Sequence, residues 1–199
     1  MKINIEATIP PDIIKRFSVK DVKAKNNNLQ VCYDIVKALA PKRIAEIGVR
    51  CGYSAWAMLQ AAPEATYYGF DNYSYKPRQI CQCASDYLLR DYNTEIIELD
   101  SQQTSDLSNA IKDIDLFHVD GDHSYAGAYH DLELAFGTLS ESGKILVDDT
   151  SVDEVAHACM DFIWVHDEYE ISMLNDSFYG KWLIQLKGSS ESQGDIGRC

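Results

Sequence analysis

Short apolar runs alternate with amphipathic stretches along most of the 199-residue chain. This alternation is typical of β–α units that build a mainly parallel sheet. The apolar runs predict strands over residues 43–47, 66–70, 95–99, 115–119 and 144–148. The 3.6-residue spacing predicts helices over residues 53–62, 77–91, 104–111, 125–139 and 152–165, and a further amphipathic helix, 29–39, before the first strand.

The pattern changes after the last of these helices. Segments 169–174 and 181–187 flank a short loop, 175–180, and together predict a β-hairpin. We therefore expect an α/β, Rossmann-like fold with a seven-stranded, mainly parallel sheet that ends in an antiparallel hairpin. Residues 1–188 form the single predicted domain, of which 1–28 are a polar N-terminal arm, and the polar, glycine-rich tail 189–199 is predicted to be disordered.

Charge and hydropathy exclude several classes of partner. The net charge of −13 disfavours nucleic acid, because binding phosphates calls for a basic face. No apolar stretch reaches the roughly 20 residues of a membrane span, and the N-terminus lacks the apolar core of a signal peptide. We therefore expect a cytoplasmic protein with no membrane partner, whose six cysteines are reduced thiols.

A glycine-containing loop follows the first predicted strand. Gly48 and Gly52 lie where the strand ends and a helix begins, so they allow a sharp turn and close approach of the backbone to a ligand. Arg50 replaces the middle glycine of the dinucleotide fingerprint, and Glu46 precedes the first glycine. An acidic residue at this position is compatible with a cofactor that has no phosphate. Glu46 therefore favours S-adenosylmethionine (SAM) as the cofactor. A plain strand–helix turn with a glycine cap remains the alternative.

Further polar residues follow the second and third strands. Asp71, beside Asn72, can accept both hydroxyls of a ribose, and Asp100 with Ser101 can hold an adenine edge. All lie at the carboxyl ends of strands, where open α/β sheets bind ligands. The predicted cofactor contacts are Glu46, Gly48, Gly52, Tyr53, Ser54, Asp71, Asn72, Asp100, Ser101 and Asp120.

Four more residues point to chemistry at the same edge. Asp120 follows the fourth strand, and Asp148 and Asp149 follow the fifth, so these carboxylates should converge on one another. A divalent cation such as Mg²⁺ or Mn²⁺ would relieve their repulsion. His123, with an ordinary pKa of about 6.5, suits proton removal from a bound alcohol. Alternatively, His123 caps a helix and the acids merely solvate the sheet edge. His118, inside the strand, is predicted to be a core histidine.

Two segments resemble known methyltransferases. Glu46–Ser54 looks like the SAM loop of the catechol O-methyltransferase group. His118–Tyr125, followed by Val147–Asp149, resembles small bacterial enzymes related to macrolide-sugar and cephalosporin-tailoring O-methyltransferases. The similarity spans about residues 43–150 and implies a class I methyltransferase fold with SAM as the methyl donor.

The resemblance also implies roles for single residues. Related metal-dependent enzymes bind Mg²⁺ with acids at the places of Asp120, Asp148 and Asp149, and His123 stands where the catechol enzymes have a lysine base. The expected activity is metal-dependent O-methylation of a small hydroxylated acceptor, such as a sugar, polyketide or diol. The open sheet edge allows a homo-oligomer. The alternatives are metal-independent N- or C-methylation and a non-catalytic SAM-binding protein. Tyr73 and Tyr125 are further candidates for lining the pocket.

Overall fold

The computed structural model describes residues 1–5, 22–74, 78–174 and 179–189, with the side chains of all of these except 22–24 and 80. Most of the predicted arm and tail, and much of the predicted hairpin loop, lie outside the described residues. The strands are β1 Arg43–Ile47, β2 Thr66–Asp71, β3 Thr94–Glu98, β4 Ile114–Val119, β5 Leu139–Val147, β6 Tyr169–Leu174 and β7 Lys181–Leu186. The helices are α1 Val22–Leu39, α2 Tyr53–Ala61, α3 Arg78–Leu89, α4 Tyr125–Phe136 and α5 Asp153–Val165.

The seven strands form one sheet in the order β3-β2-β1-β4-β5-β7-β6. Strands β1 to β5 are parallel, whereas β7 pairs antiparallel with both β5 and β6. This confirms the predicted α/β fold, its seven-stranded sheet and its C-terminal hairpin. Because β1 to β5 run in the same direction, the loops that carry the predicted site residues meet at one edge of the sheet.

The helices cover both faces of the sheet because β-strand side chains alternate between the faces. Ile44, Leu116 and Leu146 point to the face covered by α1, α2 and α3. Their neighbours along the strands point to the other face, where α4 and α5 pack. Two apolar cores result, one on each face, and they fix the strand ends relative to one another.

One predicted helix, 104–111, is wrong. A short 3-10 helix, Ser101–Gln103, precedes this segment, and the segment itself forms turns. Asp106 accepts hydrogen bonds from the backbone N–H of Ser108 at 2.7 Å and from its hydroxyl at 2.9 Å. Such local bonds compete with helix formation. Strand β5 also begins earlier than predicted, because Leu139 pairs with Ile114 across an irregular step in the register.

Two further expectations concern the chain as a whole. No helix in the described ranges has the length and apolar character needed to cross a membrane. Five of the six cysteines lie in the described residues and all five are free thiols. Cys199 lies outside them.

Candidate active site

A cavity of about 1030 Å³ opens at the carboxyl edge of the parallel strands. Most of the predicted site residues line it. They are Gly48, Tyr53, Ser54, Asp71, Asn72, Asp100, Ser101, Asp120, His123, Asp148 and Asp149. Tyr73 lines it as well, whereas Tyr125 lies on the surface and its hydroxyl donates to Asp161 at 2.8 Å. Eleven of the predicted site residues thus share one cavity, although some of them have other hydrogen-bond partners than predicted.

The loop after β1 passes very close to the loop after β4. Gly48 has a φ of +96°, and a Cβ atom placed on it would lie 1.9 Å from the carbonyl oxygen of Asp120. Only glycine fits at such a position. Gly52 precedes α2 with a φ of +76° and packs against Ser85 of α3. These two glycines shape the loop, and Gly52 does so from outside the cavity lining.

Glu46 lies beneath this loop rather than in the cavity. Its side chain is fully buried and accepts hydrogen bonds from the hydroxyls of Ser54 and Tyr67. Its Oε1 is also 2.8 Å from Nδ1 of His118. Glu46 does not line the cavity, and its carboxylate supports the loop from below. Its predicted contact with the cofactor stays a prediction. His118 is fully buried and hydrogen-bonded, as a core histidine should be.

Asp71 joins the loops after β1 and β2. Its Oδ2 accepts the backbone N–H of Arg50 at 2.6 Å, and its Oδ1 accepts that of Tyr73. Asn72 accepts the backbone N–H of Ser74 at 3.0 Å and so shapes the same turn. The carboxylate of Asp71 is thus held in a fixed orientation at the wall of the cavity, where it can accept ribose hydroxyls.

Asp100 and Ser101 begin the 3-10 helix after β3. Oδ1 of Asp100 accepts the backbone N–H of Gln102 at 3.1 Å. The amide of Gln102 donates to Ser101 Oγ at 3.2 Å and to Asp131 Oδ1 at 2.9 Å. Asp131 is fully buried, and burial raises its pKa to about 6. Asp131 and Gln102 were not among the residues predicted from the sequence. The signal for Asp131 was an acidic residue among the apolar positions of a predicted helix.

His123 lies between two of the predicted acids. Its Nε2 is 3.2 Å from Asp149 Oδ2 and 3.9 Å from Asp120 Oδ1. The nearby carboxylates of Asp120 and Asp149 together raise the pKa of His123. Burial, followed by the charges of Asp148 and Asp120, raises the pKa of Asp149 to about 6. The imidazole of His123 and the carboxylate of Asp149 therefore influence each other's ionisation at the cavity wall.

Asp148 has a different partner. Its Oδ2 lies 2.6 Å from Nζ of Lys181 on β7 and accepts the side-chain amide of Asn28 at 3.0 Å. Burial alone would raise the pKa of Asp148, but the ammonium of Lys181 holds it well below its usual value. Nothing in the sequence pattern predicts this pair, because β7 is far from Asp148 along the chain.

The predicted magnesium site of three aspartates does not fit this arrangement. Within the described ranges, two groups of side chains have donor atoms close enough to share one ion: Glu46, His118 and Asp120, and Asp120, His123 and Asp149. Asp148 belongs to neither group. In the first group, the hydroxyls of Ser54 and Tyr67 already bond to the buried Glu46. Only the second group faces the cavity.

Comparison with known proteins identifies the family to which this protein belongs. A family model described as a methyltransferase domain matches residues 45–150, more than half of the chain. The chain therefore belongs to the methyltransferase-domain family. The predicted class is confirmed: the fold and the family are those of a class I, SAM-dependent methyltransferase. Among curated proteins, none matches this chain significantly.

Solved structures of methyltransferases, including O-methyltransferases, share the fold. TomG of Streptomyces achromogenes, which is involved in tomaymycin synthesis and was solved with SAM, is 13% identical with a TM-score of 0.65, and the match covers 89% of this chain and 87% of that one. An O-methyltransferase of Bacillus cereus in complex with S-adenosylhomocysteine is 14% identical with a TM-score of 0.65 and coverage of 92% and 94%. A methyltransferase of Podospora anserina with the same ligand is 19% identical, with a TM-score of 0.60 and coverage of 90% and 89%. At these identities the likeness establishes the fold.

Proposed function

We propose that this protein transfers the methyl group of SAM to a hydroxyl oxygen of a small acceptor, with His123 as the general base. The observation that carries the proposal is the position of His123 at the cavity wall, with Nε2 3.2 Å from Asp149. An imidazole with a raised pKa beside two carboxylates can take a proton from an alcohol. Solved neighbours that are O-methyltransferases support the oxygen as acceptor atom.

The residues of the β1, β2 and β3 loops would hold the cofactor. Asp71 would accept the ribose hydroxyls and Asp100 with Ser101 would contact the adenine. The hydroxyl of Tyr53 is buried at the cavity wall and has no hydrogen-bond partner among the described residues. A polar group of SAM would satisfy it, since a buried hydroxyl without a partner is costly.

The transfer itself is a direct displacement. The acceptor oxygen attacks the sulfonium methyl carbon, a C–O bond forms and the C–S bond breaks, leaving S-adenosylhomocysteine. The Nε2–H of neutral His123 faces the carboxylate of Asp149, so the hydroxyl proton moves to the other ring nitrogen, Nδ1. The carboxylates of Asp149 and Asp120 stabilise the imidazolium that results. The larger contribution of the protein is to hold the two reactants in line.

The charge of the cavity narrows the choice of acceptor. Its lining contains six aspartates, Asp71, Asp100, Asp120, Asp122, Asp148 and Asp149, against two basic residues, Lys25 and Arg50. This wall favours the cationic sulfonium of SAM and disfavours phosphorylated acceptors. A neutral or cationic hydroxylated metabolite fits best.

The predicted Mg²⁺ or Mn²⁺ is not part of this reaction scheme. Asp148 is paired with Lys181, so the three aspartates predicted as ligands do not form one set. A divalent ion at Asp120, His123 and Asp149 would supply Lewis-acid polarisation of the hydroxyl. The steps above use only the protein's own side chains, and we expect turnover to persist in EDTA.

A His123→Asn variant tests the proposal. Formation of S-adenosylhomocysteine should be measured with a panel of neutral hydroxylated acceptors, and with amines of similar shape. We expect turnover with a hydroxylated acceptor to fall by about 100-fold or more, while SAM still binds, since a positioned base contributes roughly that much. His157→Asn, on the exposed surface of α5, is the matched control. Undiminished turnover by His123→Asn, or turnover only with amines, would contradict the proposal.

A further inference from the structure

Lys181 is a lysine buried completely beneath the catalytic edge of the sheet. Its exposed fraction is 0%, and its Nζ lies 2.6 Å from Asp148 Oδ2 and 3.4 Å from His118 Nε2. Lysine is almost never fully buried unless it is paired. Although burial by itself lowers the pKa of Lys181, the charge of Asp148 outweighs this effect and keeps the side chain an ammonium.

The neighbouring histidine fixes the direction of the hydrogen bonds. Because Nε2 of His118 faces an ammonium, it acts as an acceptor, and the ring proton resides on Nδ1. Nδ1 then donates to Glu46 Oε1 at 2.8 Å. A continuous chain therefore runs from Glu46 under the cofactor loop, through His118 and Lys181, to Asp148 at the cavity wall.

Both oxygens of Asp148 have partners within the protein. Oδ2 bonds to Lys181 and to the amide of Asn28, and Oδ1 accepts the backbone N–H of Asp149 at 2.8 Å. A divalent cation that used Asp148 as a ligand would have to approach the ammonium of Lys181 closely. Two positive charges repel each other in a buried site, where water screens them poorly.

We infer that Lys181 is a built-in cation that holds Asp148 out of the metal-ligand set of this site. In this role it is a positioning residue: it supplies to Asp148 the positive charge that a divalent ion would otherwise supply. Asp120 and Asp149 are then the two carboxylates left for an ion at the cavity. The affinity of hard cations depends on the number of charged ligands. The wild-type protein should therefore bind Mn²⁺ weakly, and loss of the lysine charge should strengthen binding.

Binding of Mn²⁺ to the whole protein, measured from the paramagnetic resonance signal of the free ion, tests this inference. We expect Lys181→Met to bind Mn²⁺ about tenfold more tightly than the wild type, because Asp148 becomes available as a third carboxylate. Lys144→Met is the matched control. Lys144 lies on the adjacent strand β5, where its Nζ bonds to Gln185 at 2.8 Å. This variant should bind Mn²⁺ like the wild type.

A second variant keeps the inference testable if Lys181→Met does not fold. Lys181→Gln keeps a polar group beside Asp148 and removes the charge, and it should show the same gain in Mn²⁺ affinity. Unchanged affinity in folded Lys181→Met and Lys181→Gln would overturn the inference. The inference would also be overturned if the wild type bound Mn²⁺ tightly and Asp148→Asn abolished that binding. The measurement contains no acceptor or SAM, so its outcome is independent of the proposed O-methylation.

Discussion

The imidazole of His123 and the carboxylate of Asp149 lie 3.2 Å apart, although they follow different strands, β4 and β5. The parallel pairing of these strands places Val119 beside Val147 and so brings the two following loops together. Interaction with Asp120 and the charge of Asp149 raise the pKa of His123. This relationship gives the proposed base a pH dependence that can be measured.

We expect kcat/KM to rise with pH through a pKa above about 6.5, the ordinary value for histidine, because His123 must be neutral to accept a proton. Asp149→Asn removes a negative charge that favours the imidazolium. The pKa of His123 should fall, and the rising limb of the profile should move to lower pH. Asp161→Asn, which alters an exposed carboxylate bonded to Tyr125, is the control. If Asp149→Asn leaves the rising limb of the kcat/KM profile at the same pH, His123 is not the base.

The pair formed by Lys181 and Asp148 should contribute strongly to stability. We expect Lys181→Met to lower the free energy of unfolding in urea at pH 7 by roughly 3–5 kcal/mol, because the buried carboxylate loses its partner. Replacing both residues, as Lys181→Met with Asp148→Leu, should recover much of this loss. Equal stability of Lys181→Met and the wild type would contradict the pairing.

The same pair should give stability a defined pH window. The folded pKa of Asp148 is lowered, so its contribution is complete above the unfolded value of about 3.9 and is lost as the pH falls further. The folded pKa of Lys181 is raised, so its contribution is complete below about 10.4 and is lost as the pH rises further. The double variant lacks both titrating groups. The free energy of unfolding of the wild type, measured relative to that of the double variant across pH, should therefore fall at both extremes.

Gly48→Ala should disrupt the close approach of the cofactor loop to Asp120. The new Cβ atom would lie 1.9 Å from a backbone oxygen, so the loop must shift and SAM affinity should fall. Gly188→Ala is a control with a similar φ of +79° and no atom within 4 Å of the added Cβ. We expect Gly48→Ala to be less stable than this control by roughly 1–3 kcal/mol, the usual cost of overpacking. If Gly48→Ala and Gly188→Ala are equally stable in thermal unfolding, the overlap between the new Cβ atom and the carbonyl oxygen of Asp120 is relieved without loss of stability.

Asp71→Asn should weaken the binding of SAM. The substitution removes a charge from the acceptor proposed for the ribose hydroxyls and weakens the bonds to Arg50 and Tyr73. Hydrogen bonds to charged groups contribute about 1.5–3 kcal/mol, so calorimetry should show a Kd roughly 10- to 100-fold higher. Asp106→Asn, in an exposed turn outside the cavity lining, should leave the Kd unchanged. Equal affinities of Asp71→Asn and the wild type would remove Asp71 from the proposed cofactor site.

The fold was predictable from the sequence because each strand carries its own signal. Segment 43–47 is a compact apolar run followed by glycine, and it forms β1 with the predicted bounds. The positions of Asp71, Asp100, Asp120 and Asp149 follow from the same pattern, because a parallel sheet gathers its strand ends at one edge. Local signals of this kind need no knowledge of the tertiary contacts.

The partners of Glu46 and Asp148 could not be predicted in the same way. Glu46 is satisfied by Tyr67 and His118 from the two neighbouring strands, and Asp148 by Lys181 from a strand that pairs with β5 in the opposite direction. Which carboxylate faces the cavity and which faces a buried cation depends on side-chain packing across the sheet. Periodicity and spacing contain no information on such contacts.

The buried lysine also sets an order of events for the nascent chain. Strand β7 follows every other strand of the sheet in sequence, so Asp148 leaves the ribosome before its counter-charge does. Until β7 pairs with β5, the carboxylate of Asp148 lacks the counter-charge that Lys181 supplies in the folded sheet. We therefore expect the acidic edge of the sheet to reach its final charge balance only when β7 has paired.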